Sequence, residues 1–107
     1  MEIKFIELLG KTGSKQRALF EVGKQKVIVG VVYSVLSSLG MPSDRDTCTD
    51  FLKEFGTLRI QLMIAENNLQ EEYTFSSEDR QAMTTQAELR SYLKNKISEA
   101  EYKSRRG

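Results

Sequence analysis

Three short patterns in the chain could do chemistry, and each lacks a partner that its chemistry needs. Gly10-Lys11-Thr12 has the ending of a phosphate-binding loop. Such a loop needs a glycine five residues before the Gly-Lys pair, so that backbone amides can wrap the phosphates, and Phe5 stands there instead. The segment Gly10-Lys11-Thr12-Gly13-Ser14-Lys15 is therefore expected to be a flexible, basic, turn-forming loop. Asp44-x-Asp46 could open a calcium loop, but glycine at the sixth position and glutamate at the twelfth are replaced by Thr49 and Phe55. A nucleophilic aspartate would follow a buried strand, whereas Pro42-Ser43 precedes this pair. Asp44, Asp46 and Asp50 are better read as acids at a helix N-terminus, where the macrodipole favours them.

The third candidate is Cys48, the only cysteine of the chain. One cysteine permits neither an internal disulfide nor a thiolate zinc cluster, and it suits a reducing compartment better than secretion. Cys48 is expected to be a small apolar residue near a helix start. There is no histidine at all, which removes Ser-His-Asp and Cys-His catalysis, imidazole acid–base chemistry and the commonest zinc ligand. Carboxylates, lysines, tyrosines and hydroxyls remain. That inventory predicts a binding protein without metal or cofactor rather than an enzyme.

The elements that would position these residues can be read from periodicity. The 107 residues, 39% hydrophobic and 29% charged with net charge +1, suit one soluble globular domain over 1–107. No apolar run approaches the ~20 residues needed to span a bilayer, and the Glu2 opening is not a signal-peptide n-region. A cytoplasmic location is expected. Alternation and β-branched residues predict strands over Glu2–Leu9, Arg17–Val22 and Lys26–Val32, with Gly30 marking a bulge or a close backbone approach. Tyr33–Leu39 ends at Gly40-Met41-Pro42, a helix stop. A helix follows over Asp44–Phe55, with Phe51, Leu52 and Phe55 as its buried face and Gly56 as its stop.

After Gly56, Leu58, Ile60, Leu62 and Ile64 alternate with Arg59, Gln61 and Met63 at strand spacing. Asn67-Asn68 suits a hairpin turn into a return strand over Leu69–Phe75. A single helix from Asp44 to Leu69 fits period 3.6 as well, and with Lys26–Leu39 also helical the chain would be mostly α-helical. The hairpin is preferred. The fold expected is α+β, an antiparallel sheet with a long C-terminal helix over Ser77–Lys103 and a frayed basic tail from about Lys103. Ser76 with Asp79 approximates a capping box, and Ala82, Met83, Leu89, Leu93, Ile97 and Ala100 form a narrow stripe.

That helix sets the functional expectation. At about 1.5 Å per residue it would run roughly 40 Å, beyond the ~30 Å of a compact domain this size, so part of it should project. Leu89, Leu93 and Ile97 would then need cover from another chain, although Gln86 and Lys96 interrupt the heptad. The expectation is a small intracellular adaptor, inhibitor or assembly factor that self-associates or docks a protein partner. The alternative is a nucleic-acid-binding regulator. It would use Lys94, Lys96, Lys103, Arg105 and Arg106 of the helix with Lys11 and Lys15 of the loop. A sequence pI near 7.8 is low for such a module. Charge also alternates along the chain, +3 over residues 1–43, −4 over 44–75 and +2 over 76–107. Opposite patches of that kind steer docking.

Overall fold

The first three strands follow from alternation and two glycine turns. In the computed structural model, which describes residues 2–76 and 84–106, β1 (Ile3–Thr12), β2 (Lys15–Val22) and β3 (Gln25–Val32) form an antiparallel meander. The turns fall at Gly13-Ser14 and Gly23-Lys24, with Gly13 and Gly23 both at φ +62, a value side chains disfavour. The expected Gly10–Lys15 loop is thus a tight hairpin end, because strand pairing runs on through Lys11↔Gln16 and Thr12↔Lys15. On β2, Gln16, Ala18, Phe20 and Val22 are buried while the residues between them are half-exposed, so one face of the sheet carries the core.

Two helical layers' worth of apolar stripe then pack on that face alone. A short helix α1 (Tyr33–Ser38) buries Val35 and Leu36. Asp44 caps α2 (Arg45–Phe51), its carboxylate accepting from the Thr47 backbone N–H at 3.0 Å and the Thr47 hydroxyl at 2.8 Å. These two donors, the backbone N–H first, hold the Asp44 carboxyl below its usual pKa. The helix does not stop at Gly56. It widens into a π-turn over Leu52–Gly56 and continues as α3 (Thr57–Ala65).

The strand expected over Thr57–Ala65 is therefore corrected to helix, as is the hairpin beyond it. Asn67 does take the left-handed conformation, φ +59, but as the residue after a helix C-cap. Its N–H bonds Ile64 O at 3.0 Å, and the Asn68 N–H bonds Met63 O at 2.9 Å, which is a Schellman termination. The return strand shrinks to β4 (Glu72–Phe75), and it pairs parallel with β3 rather than antiparallel with its predecessor. The sheet is mixed, in the order β1-β2-β3-β4, and the fold is α+β. Finally α4 (Gln86–Arg106) lies beside α3. It stays helical past Lys103, where fraying was expected; the Ser76–Asp79 cap, Ala82 and Met83 fall partly or wholly outside the described residues.

The helix layer seats on the sheet through Gly56. A Cβ there would lie 2.8 Å from Cζ and 3.1 Å from Cε1 of Phe20, a ring with no solvent exposure. Around this contact an aromatic chain runs from Phe55 stacked on Phe51 (4.7 Å between centroids) to Phe75 (5.7 Å) and Tyr73 (5.3 Å). On α4, Arg90 donates to both carboxylate oxygens of Glu54 in the π-turn. This hydrogen-bonded pairing is the main cause that lowers the Glu54 pKa.

Two predictions follow from these contacts. Gly56→Ala gains up to ~1 kcal/mol of helix propensity, yet overpacking against Phe20 costs about 1–3 kcal/mol. The net outcome is a lower urea midpoint; a midpoint at or above wild type refutes this packing. Glu54 has a folded pKa below its ordinary 4.5, so its contribution is present at neutral pH and lost as pH falls through the lowered value. The stability deficit of Glu54→Gln, followed by urea unfolding, should accordingly shrink between pH 7 and pH 3.

Candidate functional site

The sheet's second face is where the structure leaves chemistry exposed. Alternation sends Lys15, Arg17, Leu19 and Glu21 of β2 to this outer side, each half-buried between core residues. The strand register sets them in rows. Lys4, Glu21 and Lys26 make one row; Glu7, Leu19, Ile28 and Glu72 the next; Gly10, Arg17, Gly30 and Thr74 the third. Leu19 and Ile28 are direct cross-strand neighbours, and neither packs against the core cluster.

Two bulges in β1 add to this apolar centre. Pairing skips one residue between Phe5 and Glu7 and another between Leu8 and Gly10. The two extra residues, Ile6 and Leu9, are 37% and 36% exposed, while Phe5 and Leu8 before them turn inward. Bulges also bend and blunt an edge strand, which discourages pairing of β1 with a further strand.

Charge rings the apolar centre. Lys26 reaches Glu21 at 2.7 Å, and Lys15 reaches Glu72 at 3.9 Å. Lys26, first through its hydrogen bond, holds the Glu21 carboxyl below its usual pKa. The Arg17 stem lies over Gly30, where a Cβ would come within 3.3 Å of Cγ, which confirms the close approach expected at that glycine. The Arg17 Nε is buried with no hydrogen-bond partner among the described residues. The outer face thus presents an apolar centre, Leu19 with Ile28, inside a charged rim.

The residues expected to form an interface on the last helix lie elsewhere. Leu89 and Leu93 are 1% and 2% exposed, inside the core, and Ile97 packs at its margin. Their cover comes from the same chain, because α4 packs along α3 as far as Ala100, while residues 101–105 beyond it are exposed. Glu54 meets Arg90 at one end, and Ile64 and Gln61 share a shallow groove of about 300 Å³ with Ile97 at the other. The narrow stripe is a core seam.

The basic residues do not converge either. Ile3, at the start of β1, lines the groove that Ile97 and Glu101 line, whereas Thr12 ends the same strand and Lys15 pairs with it at the start of β2. At about 3.3 Å per residue that separates the hairpin from the distal part of α4 by roughly 25–30 Å. Lys94, Lys96, Lys103 and Arg105 are exposed, but Lys96 pairs with Glu99 at 3.7 Å and Arg105 with Glu101 at 3.8 Å. Lys11 and Arg106 lie on β1 and α4 with side chains outside the described set. Asp44 is engaged as a cap, and Cys48 is buried in α2. Among the described residues no three His, Cys, Asp or Glu side chains group to hold a metal. No described helix is long and apolar enough to cross a membrane.

No protein-family model matches the chain, and comparison with curated proteins and with solved structures returns no match.

The corrected place of Leu93 changes what its mutation does. Leu93→Ala should cost about 2–5 kcal/mol through loss of burial and cavity formation. The checkable result is a lower urea midpoint that does not depend on protein concentration. A variant as stable as wild type would return this stripe to the surface.

Proposed function

We propose that the chain is a small, non-catalytic interaction protein that works by docking a protein surface on the outer face of its sheet. The observation that carries this reading is the Leu19–Ile28 pair with Ile6 and Leu9 beside it, apolar side chains on the face that no described helix covers. Burial of apolar area supplies the affinity, at about 25 cal/mol per Å² before the costs of association. The charged rim supplies orientation and encounter rate. The chemistry of the site supports binding over turnover, since the face presents the ion pairs Lys15–Glu72 and Lys26–Glu21 rather than a nucleophile beside a base.

The experiment is a comparison of wild type with Leu19→Lys and Ile28→Lys. Both substitutions lie on the half-exposed face and should leave the thermal midpoint within a few degrees of wild type. Wild type is expected to associate with a protein, its own copy or another captured from source-cell extract, and each variant to lose that association by at least tenfold. Association that survives in both variants, or none in wild type, refutes the reading.

A further inference from the structure

We infer that the occupant of the outer sheet face is a second copy of this chain, packed face to face about a two-fold axis that crosses the strands at the level of Ala18. The inference rests on the docking reading above and names its partner. The first argument is charge. The face carries bases and acids in nearly equal number, so it does not select a partner of one sign. Turned about that axis, each strand lies antiparallel over its own copy, and the register decides which residues meet. Glu21 then faces Lys15 of the second copy, and Lys26 faces Val32. Glu7 faces Gly10 and Glu72 faces Thr74. No like charges meet. Such self-complementarity is the requirement of a two-fold interface.

The second argument is shape. The same operation lays the row holding Leu19 and Ile28 over the row holding Arg17 and Gly30 of the other copy. Leu19 and Ile28 come to rest on the aliphatic stem of Arg17, which fills the space above Gly30. Leu9, at the second bulge, falls close to the axis, where it meets its own counterpart. The surface pairs Lys26–Glu21 and Lys15–Glu72 are weak enough to exchange partners.

The third argument is area. Three strands of eight to ten residues and one of four, at ~3.4 Å rise and ~4.8 Å spacing, give a face of just under ~500 Å². Two such faces bury about 1,000 Å² in total, which is the low end for a specific interface and fits a reversible dimer. The alternative two-fold mode, edge to edge through β1, meets the two bulges that interrupt its hydrogen-bonding edge.

Sedimentation equilibrium of the wild-type chain up to ~1 mM tests the dimer. The expected result is a monomer–dimer equilibrium that Ile28→Lys weakens at least tenfold. Glu21→Lys should weaken it severalfold, and adding Lys15→Glu to Glu21→Lys should restore most of the loss. A second measurement needs no variant: backbone amide shifts of wild type should change with concentration at Arg17–Glu21 and Lys26–Gly30. A monomer at ~1 mM overturns the dimer, as does a dimer unaffected by Ile28→Lys or one whose shifts map to α4. If wild type is monomeric yet captures another protein that Ile28→Lys releases, only the identity of the occupant is wrong. If it does neither, the docking face itself fails.

Discussion

The seat of the central helix on the sheet depends on a side chain that is missing. Helix and sheet can approach closely at Phe20 only because residue 56 has no Cβ, and the π-turn over Leu52–Gly56 is what aims that bare backbone at the ring. Leu52, Phe55 and Gly56, at i, i+3 and i+4, share the helix face turned toward the sheet. From there the core is assembled by contact: Phe55 on Phe51, Phe51 against Phe75, and Glu54 holding Arg90 so that Leu89 and Leu93 close the layer. All of these contacts lie on one side of the sheet. Among the described residues no helix packs on the outer face.

The meander, the capped helix at Asp44 and the α+β class were legible because each has a local cause. Strand alternation, β-branched residues and glycines at two-residue turns act over a few positions, and so does an aspartate three residues before a free N–H. Thr57–Ala65 was not legible for the opposite reason. This helix is packed between the sheet and α4, so Leu58, Ile60, Leu62, Met63 and Ile64 all find cover, and an apolar arc that wide blurs period 3.6 into apparent alternation. Asn67 compounded the error, since a left-handed asparagine serves a hairpin turn and a helix terminus equally well. The parallel pairing of β4 is a property of the whole crossover, which no local pattern carries.

The candidate site was hidden by the same logic. A narrow stripe on a charged helix looks like a seam awaiting a partner, and only the fold shows that α3 is the partner of Leu89 and Leu93. The signal that could have found the outer face is on β2 and β3. There Leu19 and Ile28 occupy positions that alternation assigns to solvent, between neighbours already buried. The bulges at Ile6 and Leu9 leave no such mark, because an extra residue in a strand is visible only against its pairing partner.

Size explains why a second layer is absent from the described residues. A chain of about a hundred residues buries somewhat over 60% of its unfolded surface, and here that allowance covers one side of a four-stranded sheet, in a body 18 Å thick along its shortest axis. A sheet with one open face and open edges can associate through either. Charges at Lys4 and Glu7, together with the two interruptions in β1, discourage strand addition at that edge. The apolar side chains left away from the core, Leu19 and Ile28, sit at the centre of the outer face rather than along its edge.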